Sequence, residues 1–374
     1  MTRVLDQRTL NRAALDRQLL LRRSGMAVRD AIGLLVAMQA QENNVPYYGL
    51  WTRLTGFRQE QLTDLMDDRT AVRGSILRGT QHLALADDYL WLRPLIHESL
   101  LRGRQAAFGR VTKDWDLDEL ATCARDLLDG QVLTRPQLAR ALAELWPGRD
   151  LQALGWSAQA LVPVVHPPPS GTWNVAGATP FALAEEWIGR PLHDTGPAHL
   201  IRRYLAAFGP ASVKDFQMWS GLRRMDAEFA DLRPELRVYK DENGVELFDL
   251  PHARLPDADA DGADGGHAPV RFLPGFDNLV LAYADRTRLM TDEQRKIVCV
   301  GAEIKPTLLV DGRVHALWSL KHDRKADKAA LTIELFAPLP DGTAAEEVEA
   351  EAAGLLTFAA PEADHDVRVT TWSG

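Results

Sequence analysis

The sequence predicts an α+β protein in which tandem winged helix-turn-helix units precede a C-terminal β-rich, barrel-like domain. Three observations support this fold class. Helical periodicity dominates the first 250 residues, capped helices are followed by strand-like runs, and consecutive strand patterns appear after residue 290. With 374 residues, of which 46% are hydrophobic, the chain is long enough for two or three domains, each with a core.

Amphipathic helices are predicted where apolar residues recur at i, i+3, i+4 and i+7. The pattern occurs in three segments, 28–35, 120–128 and 201–208. After the second and third of these segments, Thr134 and Ser212 each precede another apolar stripe and have an amide or acidic residue three positions later. This spacing is typical of a capping box. It predicts that a second helix begins at each of these residues.

Strand-like runs follow the second helices. Residues 236–240 and 245–248 flank an Asn-Gly turn, which is a strong hairpin signal. Weaker versions involve residues 160–165 with 172–173, and residues 76–85. A winged helix has the order helix, capped helix and strand pair, and the sequence shows this order three times. The alternative is a helical bundle with incidental hairpins.

The predicted units are 1–113, 114–190 and 191–255, followed by a linker and β-domain over 256–374.

The sequence changes character near residue 250. Pro251 to Pro269 is rich in Pro, Asp, Ala and Gly, which predicts a linker or a long exposed loop. Beyond it, strands are predicted over 296–300, 307–310, 314–320, 331–336 and 367–371. Residues 344–353 are acidic and predict an exposed helix. A small barrel or sheet accounts best for this pattern.

Composition excludes several classes of protein. No apolar run approaches the roughly 18 residues needed to span a bilayer, so we expect no membrane association. Charged residues occupy the N-terminus where a secretion signal would be apolar. The two cysteines, Cys123 and Cys299, are too few for a disulfide framework and suit a reducing compartment. The sequence therefore predicts a cytoplasmic protein.

The charge is unevenly distributed. The net charge is −9, but residues 1–113 hold 17 Lys and Arg against 11 Asp and Glu, a local charge of +6. The remaining residues carry −15. A basic N-terminal third could contact a polyanion such as DNA while acidic loops remain in solvent, and an ordinary solvated surface is the alternative.

Common catalytic motifs are absent. The chain has no phosphate-binding glycine loop, nucleophile elbow, zinc-binding H-E-x-x-H or C-x-x-C motif. His315 and His322 lack a third ligand at a suitable spacing. We therefore expect no metal and no cofactor.

One polar anomaly stands out. Four residues after Leu35, the last residue of the apolar stripe 28–35, the helical spacing predicts another apolar side chain, but the residue there is Gln39. A polar group in such a position needs hydrogen-bond partners. Asn43 to Pro46 indicates that the helix is ending, and beyond its end the amides of Gln39 and Gln41 could converge. Alternatively, Gln39 caps a helix end and Gln41 is solvated.

Three segments resemble a known family. Met38-Gln39-Ala40-Gln41, the stretch 73–83 and Phe272-Leu273-Pro274-Gly275-Phe276-Asp277-Asn278 are similar to segments of the bacterial winged-helix DNA glycosylases of the AlkZ type. The resemblance spans nearly the whole chain. It implies a Gln-x-Gln catalytic motif at Gln39 and Gln41, and a monofunctional hydrolase that removes bulky N7-alkylated purines from double-stranded DNA. Unhooking of interstrand crosslinks and self-resistance to a genotoxin are also implied.

Candidate DNA contacts accompany these residues. Arg73, Arg78 and Thr80 lie in or beside the first predicted wing, where cationic and hydroxyl groups suit phosphate oxygens. His82 has two interpretations, a DNA contact or a buried core histidine. The resemblance implies a hairpin that probes the duplex, flanked by Arg286, Arg288 and Lys296. Ordinary surface arginines are the alternative for each position.

Two other functions remain open from the sequence. Winged helices often serve as non-catalytic transcriptional regulators that insert a helix into the major groove. Against this stand the polar anomaly at Gln39 and the lack of an obvious dimerisation helix, which also predicts a monomer. A protein that sequesters the genotoxin is the third possibility, because ten Trp residues could stack on a ligand.

Overall fold

The computed structural model describes residues 2–256, 267–340 and 342–374, without the side chains of residues 342 and 343. It has mixed α+β architecture, which confirms the predicted class. In these ranges no helix is long and apolar enough to cross a membrane, and no group of three or more His, Cys, Asp or Glu side chains is arranged to hold a metal ion.

The first part of the chain alternates helices with short strands. Its helices are α1 (Gln7–Arg17), α2 (Val28–Leu35), α3 (Val45–Trp51), α4 (Gln59–Asp67), α5 (Ala86–Leu95) and α6 (His97–Phe108). Its strands are β1 (Val4–Leu5), β2 (Met38–Gln39), β3 (Ala71–Ser75) and β4 (Gln81–Leu85). A 3-10 turn at Leu77–Gly79 connects β3 to β4, so the weakly predicted hairpin is present but begins earlier in the chain.

The middle of the chain repeats a similar order. Its helices are α7 (Leu117–Leu128), α8 (Arg135–Leu145), α9 (Leu151–Leu161), α10 (Ala184–Ile188), α11 (Pro197–Phe208), α12 (Val213–Ser220) and α13 (Asp226–Leu232). Its strands are β5 (Leu133–Thr134), β6 (Val164–Val165), β7 (Pro180–Leu183), β8 (Arg237–Asp241) and β9 (Glu246–Asp249).

The predicted helices and caps are confirmed. Thr134 and Ser212 each form a capping box at the start of α8 and α12, since the side chains of Gln137 and Asp215 reach back to the cap. The Asn-Gly hairpin is also present, as β8 and β9 pair antiparallel. The expectation that strands follow the second helix directly is wrong, because a third helix, α9 or α13, precedes each hairpin.

One sheet joins the first two regions. Its strand order is β2-β4-β3-β6-β7-β5. Strands β2, β3 and β4 are joined to β5, β6 and β7 by the pairing of Gly74 on β3 with Val165 on β6. A Cβ on Gly74 would lie 2.7 Å from the Tyr89 ring and 3.2 Å from the Val164 carbonyl oxygen. Glycine is therefore required where β3 and β6 approach. Strand β6 pairs with β7, not with the predicted segment 172–173.

The C-terminal region contains an open sheet. It comprises β10 (Arg271–Leu273), α14 (Asn278–Leu281), α15 (Asp292–Val298), β11 (Cys299–Val300), β12 (Glu303–Ile304), β13 (Thr307–Val310), β14 (Arg313–Asp323), β15 (Lys328–Leu335), α16 (Gly342–Ala359) and β16 (Asp364–Thr371). Within the described residues the five-stranded sheet runs β10-β13-β14-β15-β16 without closing. The barrel-like part of the prediction is therefore wrong.

Two other predictions for this region need correction. Of residues 296–300, only 299–300 form a strand, β11, while 296–298 belong to helix α15. Helix α16 is not simply exposed, because Val348, Ala352 and Leu355 are buried against the sheet. The predicted linker lies partly outside the described residues, since 257–266 are not among them.

Candidate active site

A tight turn places the Gln-x-Gln motif. Helix α2 ends at Leu35, and Val36 has φ 68° and ψ −58°, with the Ala37 amide donating to the Leu35 carbonyl oxygen at 2.8 Å. This is the rare γ-turn with positive φ, which is strained for a β-branched residue. The turn starts strand β2, so the expectation that Gln39 continues the helical face is wrong.

Strand β4 aligns the two glutamines. Gln39 pairs with His82, the Ala40 amide donates to the Gln81 carbonyl oxygen at 2.8 Å, and the Gln81 amide donates to Gln41 Oε1 at 3.4 Å. Gln39 Oε1 and Gln41 Oε1 thus contact neighbouring residues, Thr80 and Gln81, at the start of β4. Gln39 is buried and Gln41 is exposed.

Arg78 and Thr80 contact Gln39 from the turn between β3 and β4. Arg78 donates from one terminal nitrogen to Gln39 Oε1 at 3.1 Å, and Thr80 Oγ1 lies 3.4 Å from the same oxygen. The other terminal nitrogen of Arg78 donates to the Trp219 carbonyl oxygen. Burial and the charge of Arg286 lower the pKa of Arg78 to about 10, which leaves it protonated at neutral pH.

Arg73 supports the motif from beneath. Its side chain is 4% exposed and donates to the Ala40 carbonyl oxygen at 2.9 Å, to Ser170 Oγ at 2.9 Å and to Gln81 Oε1. Burial lowers its pKa to about 10. Arg73 therefore ties the backbone between the two glutamines to strand β4 and to the loop that contains Ser170.

His82 is a buried core histidine. Its Nδ1 lies 3.0 Å from the Thr80 carbonyl oxygen, which can only accept, so Nδ1 carries the proton. Nε2 is buried and has no partner among the described residues. Burial and the nearby Arg78 charge lower the pKa of His82 to about 3, so the imidazole is neutral at physiological pH.

The other candidate cations occupy different places. Arg286 is half-buried and donates to Cys299 Sγ at 3.1 Å, at the base of the β11–β12 hairpin. Lys296 is exposed on α15. Arg288 is 5% exposed, lies over the Tyr283 ring at 3.9 Å and donates to the Pro210 carbonyl oxygen, and it has no hydrogen bond to the motif. The structure thus brings Gln39, Arg78, Thr80 and His82 together, but not Arg288.

Burial changes what some of these residues can do. Arg73, His82 and Arg288 are enclosed, which does not fit the expectation that they contact phosphates directly. Arg78, Thr80 and Arg286 retain partial exposure, and Lys296 is exposed. These four keep a surface that DNA could reach.

Sequence reasoning missed the polar residues behind the motif. Asn278 Nδ2 donates to the Ala37 carbonyl oxygen at 2.6 Å, immediately after the γ-turn. Asp277 caps α14 and forms a two-point ion pair with Arg53, with both N···O distances at 2.8 Å. The available signal was a pair of polar residues inside an otherwise apolar segment, 272–281.

The charge at the site is not compensated by acids. No described carboxylate forms an ion pair with Arg73, Arg78 or Arg286, although other buried arginines have such partners. Uncompensated positive charge beside neutral amides suits an anionic ligand and not a metal ion.

Comparison with known proteins identifies the family. A family model described as DNA glycosylase AlkZ-like matches residues 32–358. An interstrand DNA cross-link repair glycosylase of Streptomyces sahachiroi is 26% identical over 330 residues, covering 82% of this chain and 85% of that protein. The solved structure of the Streptomyces sahachiroi DNA glycosylase AlkZ matches with a TM-score of 0.78 at 22% identity, covering 98% of this chain and 100% of that chain. Since the family model spans most of its length, the chain belongs to the AlkZ-like DNA glycosylase family and is a DNA glycosylase.

Proposed function

We propose that this glycosylase is monofunctional and hydrolyses the N-glycosidic bond of bulky N7-alkylated purines in double-stranded DNA, with Gln39 and Gln41 as its catalytic residues. The observation that carries the proposal is a pair of neutral amides that contact neighbouring residues at the start of β4, beside cations that no described acid neutralises. Unhooking of interstrand crosslinks and protection against a genotoxin follow if the site accepts two joined strands.

Three winged-helix units provide the framework in this proposal. The order helix, short strand, two helices and hairpin is found in α2-β2-α3-α4-β3-β4 and in α7-β5-α8-α9-β6-β7. In α11-α12-α13-β8-β9 the short strand is reduced to a bridge between Ala211 and Phe248. In the first unit Gln39 belongs to the short strand and Arg78 to the wing, so the motif and its neighbours belong to one unit.

The reaction needs little acid or base catalysis. A purine alkylated at N7 carries a positive charge, so its bond to C1′ is already weakened. As that bond breaks, its electron pair neutralises the purine, a water oxygen bonds to C1′, and the proton lost by the water passes to solvent. The protein has to position the water and the sugar and stabilise an oxocarbenium-like transition state, which neutral amides can do.

DNA binding is assigned to the accessible cations. Arg286 and Lys296, with the hydroxyl of Thr80, form the group expected to contact phosphate oxygens. Arg78 is left out of this group because its two terminal nitrogens already donate to Gln39 and to the Trp219 carbonyl oxygen. The β11–β12 hairpin follows Lys296, and Val300 on it is 49% exposed. An exposed apolar residue beside a cationic surface is suited to contact the bases of a duplex.

Single-turnover excision from a duplex that carries one N7-alkylguanine tests the proposal. Wild type, Gln39→Ala and Gln41→Ala are compared at equal saturating concentration. Gln131→Ala is the control, because Gln131 is exposed between α7 and β5 and is not part of the motif. We expect each motif variant to lose roughly 10²- to 10⁴-fold in rate with unchanged thermal unfolding, and the control to match wild type. Excision at the wild-type rate by both motif variants, or binding without release by all proteins, would contradict the proposal.

A crosslinked duplex tests the finer specificity. On a denaturing gel, we expect wild type to convert an N7-guanine interstrand crosslink to separate strands. We expect Gln39→Ala to lose this activity. Excision of monoadducts without conversion of the crosslink would restrict the substrate to single alkylated purines.

A further inference from the structure

The orientation of the Gln39 amide is determined by its neighbour. A guanidinium has only donors, so the amide atom that faces Arg78 at 3.1 Å has to be the carbonyl oxygen. Thr80 Oγ1 lies 3.4 Å from the same oxygen and 3.2 Å from the Leu77 carbonyl oxygen, so its single proton is shared between them. The Nε2 group of Gln39 therefore points away from Arg78, and no described residue accepts a hydrogen bond from it.

Arg78 is itself held firmly. Its backbone has φ 55°, and one terminal nitrogen donates to the Trp219 carbonyl oxygen at the C-terminal end of α12. Gly221 ends that helix with φ 78°, and a Cβ there would lie 3.2 Å from Arg78 N and Cα. Trp219 and Gly221 at the end of α12 therefore hold the guanidinium that orients Gln39.

We propose that Arg78 is a positioning residue that holds Gln39 with its NH2 group toward the substrate, so that Gln39 acts as a hydrogen-bond donor. This rests on the proposed function. The NH2 group can donate to the oxygen of the attacking water or to an acceptor atom of the departing purine. It cannot take a proton from water, and the carbonyl oxygen is weakened as an acceptor by its charge-assisted bond to Arg78.

This role differs measurably from that of a phosphate contact. A residue that binds only phosphate changes affinity and its salt dependence and leaves the rate of the bound complex unchanged. A residue that orients Gln39 changes the rate of the bound complex, since misplacement by about 1 Å can cost on the order of 100-fold. It also has no further effect once the glutamine side chain is gone.

The test is a double-mutant cycle on the full chain. Arg78→Met, Gln39→Ala and the double variant are compared by single-turnover rate at saturating enzyme and by equilibrium binding to the alkylated duplex. Arg102→Met is the control, because Arg102 is exposed and reaches only the Gly221 carbonyl oxygen, at 3.5 Å. We expect Arg78→Met to be roughly 10- to 100-fold slower with a dissociation constant within about twofold of wild type, and the double variant to be no slower than Gln39→Ala.

Two results would overturn the positioning role. One is a weaker affinity of Arg78→Met with an unchanged rate. The other is a double variant whose loss in rate equals the product of the losses in the two single variants. Thermal unfolding of each variant separates both from misfolding, and Arg78→Lys, which keeps a donor, is expected to recover part of the rate.

Gln39→Glu tests the donor role directly. Glutamate keeps the contact to Arg78 but has no NH2 group, so we expect it to be as slow as Gln39→Ala. A rate equal to or above wild type would show that an acceptor is needed at this position and would overturn the proposal. Absence of excision by wild type would instead contradict the proposed function, so the two failures are distinguishable.

Discussion

The arginines of the structural framework differ from those of the candidate site. Arg53 and Arg17 are buried with the carboxylates of Asp277 and Asp249, at 2.8 Å and 2.7 Å. Arg73 is equally buried, but its donors reach a backbone carbonyl, a hydroxyl and an amide oxygen. Arg53 and Arg17 are neutralised by these acids, whereas no described carboxylate neutralises Arg73.

We expect an anion from outside the protein to supply the counter-charge at the motif. The lack of an acid is not confined to the site, since the buried Arg93 and Arg104 are also held by imidazole, carbonyl and hydroxyl groups without a described carboxylate. A buried cation without an acid is costly, and folds usually avoid it. At the motif, Arg73 and Arg78 retain their charge without a described carboxylate partner. We expect this local excess of positive charge, in a chain of net charge −9, to attract a polyanion.

The largest effect is expected from breaking a framework pair. Asp277→Asn leaves Arg53 buried without its anion, which typically costs about 3–5 kcal/mol in the free energy of unfolding. Urea unfolding of wild type and variant measures this difference. A loss below about 1 kcal/mol would mean that Arg53 is no better compensated than Arg73 and would remove the contrast.

Acid is expected to destabilise the region around the motif through its buried histidines. Burial lowers the pKa of His82 and of His166 to about 3. Between that value and the ordinary 6.5, the unfolded chain binds protons that the folded chain does not, so stability falls as the pH is lowered. From pH 6.5 to 5 the loss is about 2 kcal/mol for each histidine, at about 1.4 kcal/mol per pH unit.

Comparison with His166→Asn isolates this contribution. Asn retains a donor for the Pro180 carbonyl oxygen that His166 Nδ1 now contacts at 3.0 Å, but it does not titrate. As the pH is lowered from 6.5 to 5, the unfolding free energy of the variant should fall by about 2 kcal/mol less than that of wild type. Identical slopes for wild type and variant would show that His166 is not buried as a neutral group.

A smaller effect is expected at an accessible site cation. Arg286→Met should lower the slope of log affinity against log salt concentration for DNA by about one, because one phosphate contact is lost. Arg202→Met is the control, since Arg202 is exposed and paired with Glu235 at 2.7 Å. Equal slopes for Arg286→Met and wild type would exclude Arg286 from the DNA contact.

The smallest effect is expected for exposed pairs. Arg125→Met removes a 2.9 Å ion pair with Glu185, and both side chains are well exposed. Pairs of this kind contribute about 0–1 kcal/mol, so unfolding should be nearly unchanged. A loss comparable to that of Asp277→Asn would show that burial does not determine how much an arginine–carboxylate pair contributes to stability.

Much of the local structure could be predicted from the sequence. The helices at 28–35, 120–128 and 201–208, the caps at Thr134 and Ser212, and the hairpin around Gly244 depend on neighbours within a few residues. Apolar spacing, capping boxes and Asn-Gly turns can be recognised from the sequence alone. The candidate residues Gln39 and Gln41 also came from sequence, through a polar break in an apolar stripe and a family resemblance.

Only the tertiary structure decided how these residues meet. Gln39 lies on a strand because Val36 adopts a γ-turn that local preference disfavours, and Asn278 contacts the residue after that turn. Arg73 became an internal support and not a surface contact. The open C-terminal sheet and the buried face of α16 depend in the same way on partners far along the chain. The physical reason is range: propensities and caps act over a few residues, whereas burial, strand pairing and charge compensation depend on segments that only folding brings together.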